Sequence, residues 1–233
     1  MVRKISSPPV DRCPTLIPGF DNLCAGGLVR NNTYVINGGP GAGKTVFMLQ
    51  FLWNGLSIEE NGLYISFESD LFDLMQDAYT MGWDFSKSDQ EGKCKFLRVD
   101  PNTNPKELAK QLMEVISKFE IKRVCIDPLS VYVMSMPDQS KARKIIYELT
   151  SLLKRMKVTV LVSMETFGDG ISSLSSEQNN IIDFLSDGVL ELHSAGIGGE
   201  ADRAVRIVKM RRTNHIREPT PMKITSQGIQ VLE

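Results

Sequence analysis

The sequence predicts an α/β protein built on a mainly parallel sheet with helices on both faces. Between residues 33 and 164, short apolar segments typical of strands alternate with longer amphipathic segments typical of helices. A glycine-rich turn joins the first of these strands to the first helix. After residue 188 the short strands follow one another without helices, which predicts an antiparallel extension of the sheet.

The predicted elements follow the chain in order. Residues 14–28 read as turns and one short helical turn before the first strand. Strands are predicted at 35–36, 63–67, 95–99, 123–127 and 159–164. Helices are predicted at 44–60, 71–81, 105–119 and 141–155. The extension is predicted to contain strands at 188–193, 203–209, 222–225 and 229–232.

Length and composition indicate a single large domain. The chain has 233 residues and a formal net charge of −1. We place one domain at residues 13–233, behind a polar arm at 1–12 that lacks the apolar core of a signal peptide. The balanced charge gives no general attraction to nucleic acid or to an anionic membrane. No apolar run is long enough to span a bilayer, so no membrane partner is expected.

The cysteines favour a reducing compartment. Cys13, Cys24, Cys94 and Cys125 form no Cys-x-x-Cys pair, and the chain has only two histidines. This spacing matches no zinc site. Cys125 lies within an apolar strand and is expected to be a buried hydrophobic side chain. We therefore expect free thiols and a cytoplasmic location.

The glycine-rich turn has the sequence pattern of a phosphate-binding loop. It reads Gly-Gly-Pro-Gly-Ala-Gly-Lys-Thr and matches G-x-x-x-x-G-K-[ST]. Its glycines let backbone N–H groups turn toward phosphate oxygens, and the following helix adds the positive end of its dipole. Lys44 is expected to reach the β- and γ-phosphates of ATP, and the Thr45 hydroxyl to bind Mg²⁺. The expected nucleotide-binding residues here are Gly38, Gly39, Pro40, Gly41, Ala42, Gly43, Lys44, Thr45 and Val46.

Acidic residues at two strand ends are candidates for the chemistry. The carboxyl ends of parallel strands meet beside the phosphate loop, so Asp127 is expected to hold Mg²⁺; the alternative is a carboxylate that begins a turn. Glu68 ends another strand and could polarise a water for attack on the γ-phosphate; the alternative is a cap of the next helix. Ser163 and Glu165 could sense the γ-phosphate or could belong to a plain turn.

The segment Lys209–Arg217, Lys-Met-Arg-Arg-Thr-Asn-His-Ile-Arg, is the densest basic run. It allows three interpretations. Lys209 and Arg211 could reach the nucleotide of a neighbouring subunit. They could instead form a solvated strand end, or contact nucleic acid. Spacing alone does not decide among these.

These motifs together resemble the KaiC-type branch of the RecA-like ATPases. The resemblance extends from about residue 12 to residue 232 in the family's order. Its most specific parts are Ile-Pro-Gly-Phe-Asp at 17–21 and Lys-x-Arg-x-Thr-x-His at 209–215. The other shared segments are Gly26–Leu28, the phosphate loop, Phe67–Glu68, Met81–Asp84, Val124–Asp127 and Ser186–Asp187. The resemblance indicates one KaiC-type domain rather than the two-domain clock protein.

The resemblance implies a RecA-like core and a homo-oligomeric ring, usually a hexamer, with Mg²⁺-ATP between subunits. It implies that Glu68 matches the catalytic glutamate; Lys44 of the phosphate loop is the other catalytic candidate of this half of the site. Lys209 and Arg211 correspond to the groups that contact the neighbour's ATP. Two further contacts to the nucleotide are implied, by Arg217 and by His215, although His215 could equally be a surface side chain.

Three departures from the family pattern qualify these expectations. Ser69 stands where the family usually has a second glutamate, which predicts slow turnover. Arg212 stands where the family often has a glycine, directly after the arginine that contacts the neighbour's ATP (here Arg211). This change predicts a different local turn. Asp183 and Phe184 occupy the place of the clock protein's Ser-Thr phosphorylation pair, which argues against clock-type autophosphorylation.

Three classes of function remain open at this stage. We expect a slowly hydrolysing ring that couples nucleotide state to a protein partner. Ser69 keeps open a binding module with negligible turnover. A recombination accessory akin to RadA is less favoured, because the candidate central loop at 166–182 carries acidic residues and no Lys or Arg, although Arg3 and Lys4 could add charge. The loops at 134–140 and 195–201 could dock a partner or be inert.

Overall fold

A computed structural model of the chain describes residues 10–136, 138–165, 186–194 and 202–232, without the side chains of residues 139 and 165. The strands are β1 (Arg12–Cys13), β2 (Leu28–Val29), β3 (Thr33–Gly38), β4 (Gly62–Ser66), β5 (Cys94–Arg98), β6 (Arg123–Asp127), β7 (Thr159–Glu165), β8 (Gly188–Ser194), β9 (Arg203–Met210), β10 (Thr220–Thr225) and β11 (Gly228–Val231). The helices are α1 (Lys44–Leu56), α2 (Leu71–Thr80), α3 (Phe85–Gln90), α4 (Pro105–Lys118), α5 (Leu129–Met134) and α6 (Gln139–Arg155). A 3₁₀ turn covers Asp21–Cys24.

The strands form one large sheet in the order β5-β4-β6-β7-β3-β8-β9-β10-β11. The six strands from β5 to β8 pair in parallel. From β8 to β11 the pairing is antiparallel. This arrangement confirms the predicted α/β class, with a mainly parallel sheet and a C-terminal antiparallel extension.

Apolar side chains cover both faces of the sheet. Alternate residues of a strand point to opposite faces, so Tyr34 and Ile36 pack in one core and Val35 packs in the other. The first core includes side chains of α1, and the second includes side chains of α4 and α6. Cys125 is fully buried in the first core, as the sequence predicts. The result is a three-layered architecture that holds the strand ends in fixed positions.

Local capping explains where several helices begin. The side chains of Asp70, Asn104 and Asp138 accept hydrogen bonds from backbone N–H groups in the first turns of α2, α4 and α6. The structure also contains α3 and α5, which the sequence analysis did not identify. Each has six residues, too few to show a helical period.

The end of the predicted arm is attached to the domain. Residues 1–9 lie outside the described part of the chain. Arg12 pairs with Val29 between β1 and β2, and its guanidinium donates to the Thr213 hydroxyl at 2.6 Å. Over the described ranges, none of the helices is both long enough and apolar enough to cross a bilayer.

Candidate nucleotide-binding site

The phosphate loop connects the carboxyl end of β3 to the amino end of α1. Gly41 and Gly43 have φ angles of 72° and 99°, a region that glycine adopts without strain. A Cβ atom on Gly43 would lie 2.8 Å from Cδ1 of Ile224. A Cβ atom on Gly38 would lie 2.6 Å from the carbonyl oxygen of Leu192. Glycine is therefore required at Gly41 and Gly43 by backbone conformation, and at Gly38 by close packing against a backbone carbonyl.

Lys44 lies across this loop. Its Nζ donates hydrogen bonds to the carbonyl oxygens of Gly38 at 2.8 Å and Gly39 at 3.0 Å. Only 9% of the residue is exposed. The ammonium group is thus held over the mouth of the loop, where a cation complements phosphate charge.

The Asp127 carboxylate lies at the end of β6 and binds three hydroxyl groups. Thr45 Oγ1 donates to Oδ2 of Asp127 at 2.8 Å, and the Tyr64 hydroxyl donates to the same oxygen. Ser163 Oγ donates to Oδ1. A hydroxyl oxygen next to a carboxylate is a donor set that suits Mg²⁺, which prefers oxygen ligands. Thr45 and Asp127 therefore fit the predicted metal site.

Tyr64 is a neighbour of Asp127 that the sequence analysis did not single out. Burial, followed by the nearby charge of Asp127, raises the pKa of Tyr64 well above its ordinary value. Its hydroxyl therefore stays protonated and remains a donor at neutral pH. Tyr64 lies inside an apolar strand, so only the pairing of β4 with β6, which the sequence does not give, brings it to Asp127.

Glu68 follows β4 at the same edge of the sheet. It is exposed, and its backbone N–H donates to Ser66 Oγ at 3.3 Å. Asp70, rather than Glu68, caps α2, so the capping alternative for Glu68 is wrong. The carbonyl group of the neighbouring Ser69 accepts a hydrogen bond from Ser66 Oγ at 2.9 Å. These bonds shape the turn that presents the Glu68 side chain to solvent beside β6.

Ser163 does not project into the site as a free hydroxyl. It is fully buried in β7, and its hydroxyl is engaged with Asp127. This contact favours support of the carboxylate over direct sensing of a γ-phosphate. The backbone of Glu165 pairs with Gly38 at the end of β7, and its side chain lies outside the described atoms.

Lys209 and Arg211 lie at the opposite edge of the parallel strands. The Arg211 N–H donates to the carbonyl oxygen of Asp187 at 2.9 Å, and the Asp187 N–H donates to that of Thr33 at 2.8 Å. Thr33 begins β3, whereas Gly38 ends it, five residue steps or roughly 16 Å further along the strand. Within one chain, the structure does not bring these two cations to the phosphate loop.

The contacts of these two cations differ. Lys209 Nζ donates to the carbonyl oxygen of Ser186 at 3.0 Å. Arg211 Nη1 lies 3.7 Å from Oδ1 of Asp187, and 60% of its side chain is exposed. Lys154 approaches the same carboxylate at 3.4 Å. Among the described residues, the Arg211 side chain contacts Asp187 through this long ion pair, so the exposed guanidinium is available to another molecule.

The rest of the basic segment continues along this edge. The backbone at Arg212 has a φ of 58°, the conformation that a glycine favours, and its side chain donates to Oδ1 of Asn32 at 3.1 Å. The expected change of turn is therefore not seen at Arg212 itself. His215 is half-buried, with Nδ1 3.1 Å from the carbonyl oxygen of Ile216. Arg217 is exposed.

Several predicted features fall outside the described part of the chain. They are the candidate central loop at 166–182, the positions of Asp183 and Phe184, and the loop at 195–201. The candidate loop at 134–140 is a short connection, because α5 ends at Met134 and α6 begins at Gln139. Pro137 within that connection is not described.

Comparison with known proteins identifies the family. The family model for the KaiC ATPase matches residues 13–233. The chain belongs to the KaiC family. The KaiC-like protein of Pyrococcus horikoshii has a crystal structure that superposes with a TM-score of 0.86 at 31% identity. The match covers 97% of this chain and 100% of that structure, which confirms the predicted RecA-like fold.

Two curated relatives differ in length. The circadian clock oscillator protein KaiC of Nostoc is 30% identical over 95% of this chain, and the match covers 44% of that protein. The present chain therefore spans less than half of the clock proteins that it matches. A protein of Thermotoga maritima, named UPF0273, is 30% identical, and the match covers 95% of this chain and 96% of that protein.

Proposed function

We propose that this KaiC family chain binds Mg²⁺-ATP and hydrolyses it slowly in a cytoplasmic ring, with ATP held between adjacent subunits. The proposed ring is a hexamer, the size that the resemblance implies. Nucleotide state would then control the binding of a protein partner. DNA is not the favoured partner.

One observation carries this proposal. The phosphate loop and Arg211 lie at opposite edges of the same parallel sheet, separated by the length of β3. A cation at the far edge can act on phosphate only if a second copy of the chain supplies it. A head-to-tail interface satisfies this requirement, and such an interface closes into a ring when its rotation allows.

The residues of one chain divide the binding task. The loop N–H groups and Lys44 would bind the phosphates, while Thr45 and Asp127 would hold Mg²⁺. Bound Mg²⁺ would neutralise charge on the β- and γ-phosphate oxygens. These contacts fix the nucleotide beside Glu68, in the orientation that in-line attack needs.

The remaining groups act on the attacking water and on the developing charge. Glu68 accepts the proton of the water that attacks the γ-phosphate, or orients that water for attack. Arg211 and Lys209 of the neighbouring chain then compensate the charge on the γ-phosphate oxygens in the transition state. His215 and Arg217 lie along the same edge and would add contacts to the neighbour's nucleotide. With Ser69 in place of a second glutamate, only one carboxylate is available at this turn, which is consistent with slow turnover.

The first experiment compares wild type with Glu68→Gln. Phosphate release from Mg²⁺-ATP is measured while light scattering reports molar mass in the same samples. We expect Glu68→Gln to keep ATP-dependent assembly and to lose turnover by about a hundredfold or more, because general-base groups contribute at least that much. Glu114→Gln is the matched control, since Glu114 is exposed on α4 and pairs only weakly with Lys110 at 3.8 Å.

Two results would contradict the proposal. Equal turnover in wild type and Glu68→Gln would remove Glu68 from the mechanism. Turnover by a species whose molar mass remains that of a single chain would exclude the interface site. An assembly that forms on ATP without measurable wild-type turnover would instead identify a nucleotide-dependent binding switch.

A further inference from the structure

Tyr64 is a fully buried side chain whose hydroxyl is directed at the Asp127 carboxylate. Its ring stacks on Phe96, with centroids 5.6 Å apart and planes 14° from parallel. This packing holds the buried ring, and with it the hydroxyl, in place. At that position it donates to Oδ2 of Asp127, the same oxygen that accepts from Thr45.

The sheet register explains why these groups meet. Tyr64 is paired with Cys125, and Ser66 is paired with Asp127. Tyr64 therefore lies on the neighbouring strand, two residues before the position directly opposite Asp127. A long side chain that leans along the strand bridges that offset. Ser163 approaches from β7 on the other side of β6, and its hydroxyl binds the second carboxylate oxygen.

We propose that Tyr64 and Ser163 are positioning residues that fix the Asp127 carboxylate in its Mg²⁺-binding orientation. This inference rests on the proposed function, in which Asp127 holds the ion. Two hydroxyls on neighbouring strands hold the two oxygens from opposite sides, so the carboxylate cannot rotate about its side-chain bonds. The same hydroxyls compensate a charge that is only 8% exposed.

The consequence is a metal site that is prepared before the nucleotide arrives. Groups that hydrogen-bond to metal ligands typically change metal affinity by about 10- to 100-fold when they are removed. Loss of the Tyr64 hydroxyl leaves Oδ2 with the Thr45 hydroxyl alone and leaves the carboxylate free to turn. The Asp127 carboxylate would then have to become ordered when the ion binds, so binding would need a higher Mg²⁺ concentration.

The test measures binding of a non-hydrolysable ATP analogue to the full chain as a function of Mg²⁺ concentration. We expect Tyr64→Phe and Ser163→Ala each to raise the Mg²⁺ concentration at half-maximal binding by about tenfold. Binding of the analogue in EDTA, which reports the phosphate loop and Lys44, should not change. Thermal unfolding of each variant confirms that it is folded.

Tyr34→Phe is the matched control. Tyr34 is also fully buried in the same core, and its hydroxyl accepts from the Val29 N–H at 2.6 Å, away from Asp127. This substitution removes a buried hydrogen bond and lowers stability, yet it should leave the Mg²⁺ midpoint unchanged. A shift in Tyr64→Phe but not in Tyr34→Phe therefore reports positioning rather than general loosening of the core.

Two negative results have different meanings. If wild type binds the analogue in a Mg²⁺-dependent way and both Tyr64→Phe and Ser163→Ala keep its midpoint, the positioning role is wrong while the proposed function stands. If wild type shows no Mg²⁺-dependent binding, the proposed function fails and the positioning role fails with it.

Discussion

Two aspartates at opposite edges of the parallel sheet are equally buried but are contacted by different kinds of side chain. Asp127 and Asp187 are each 8% exposed. Asp127 is bound by three hydroxyl groups from its own chain. Asp187 faces two cations, Lys154 and Arg211, whose side chains are 54% and 60% exposed and lie at 3.4 and 3.7 Å.

This difference matches what the proposed shared site requires of the two edges. At the carboxyl edge, neutral donors bind the carboxylate to which we assign Mg²⁺. At the amino edge, a carboxylate retains loosely held cations that can swing toward another molecule. Lys154 and Arg211 are each more than half exposed, and ion pairs whose cation is screened by solvent contribute little to stability. Arg211 can therefore leave Asp187 at small cost when a neighbour's phosphate is in reach.

The largest expected effect on ATP turnover comes from removing Arg211, the exposed cation at the amino edge. Arg211→Ala should lower ATP turnover by about a thousandfold, the lower range for arginine fingers, while each chain still binds ATP. Phosphate release and binding of a fluorescent nucleotide measure the two quantities separately. Arg155→Ala is the control, because Arg155 is an exposed arginine at the end of α6. Full turnover in Arg211→Ala would show that the amino edge has no part in the chemistry.

The two aspartates can be compared directly by the same substitution. Asp127→Asn should raise the Mg²⁺ concentration needed for analogue binding by about tenfold or more, because a charged metal ligand is lost. Asp187→Asn should leave that midpoint unchanged and lower the free energy of unfolding by about 1 kcal/mol or less. A shifted Mg²⁺ midpoint in Asp187→Asn would mean that the two edges are not independent.

The smallest expected effect concerns acid stability at the amino edge. Burial alone would raise the pKa of Glu60, but its ion pairs with Arg123 and Arg30 outweigh burial and hold the pKa below the usual value. Arg123 is fully buried, and its Nε lies 2.6 Å from Oε2 of Glu60. A depressed folded-state pKa contributes stability that is present above the unfolded pKa and is lost as pH falls through the folded pKa.

This sign gives a measurable pH dependence. Between pH 5 and pH 3, the free energy of unfolding should fall more steeply for wild type than for Glu60→Gln. Chemical denaturation at each pH measures the slope. Mg²⁺-dependent nucleotide binding at neutral pH should be unaffected in this variant. If the free energy of unfolding fell equally steeply with pH in the two proteins, the Glu60 ion pairs would not be a source of acid sensitivity.

Much of this architecture follows from the sequence because its signals are local. Strand and helix alternation predicted the sheet, and the glycine motif predicted the phosphate loop. Apolar residues before Asp127 placed it at a strand end. Arg123, a charged residue that the sequence analysis treated only as the start of a strand, proved to be fully buried. Its burial depends on Glu60, a partner 63 residues away.

The contacts at the site were harder to predict because they depend on strand order. Around the site, the order of strands in the sheet departs from their order along the chain: β4 pairs with β6, and β3 lies between β7 and β8. This order brings Tyr64 and Ser163 to Asp127. It also sets Arg211 at the amino edge, a placement that the local sequence around residue 211 does not reveal.

The most direct test of the shared site mixes two inactive proteins. Lys44→Ala removes the cation of the phosphate loop but keeps Arg211. Arg211→Ala keeps the phosphate loop but removes the arginine finger, the side chain that would contact the neighbour's ATP. Each variant alone should show negligible turnover. In mixed assemblies, an Arg211→Ala subunit can bind ATP and receive the finger of a Lys44→Ala neighbour.

We predict that mixing restores phosphate release, because about a quarter of the interfaces in a randomly mixed ring then combine an intact loop with an intact finger. Light scattering and differentially labelled chains establish that mixed assemblies form. If mixed assemblies form and their turnover does not exceed that of the separate variants, the two edges do not meet between chains. That result would contradict the account of a site built from opposite edges of two copies of one sheet.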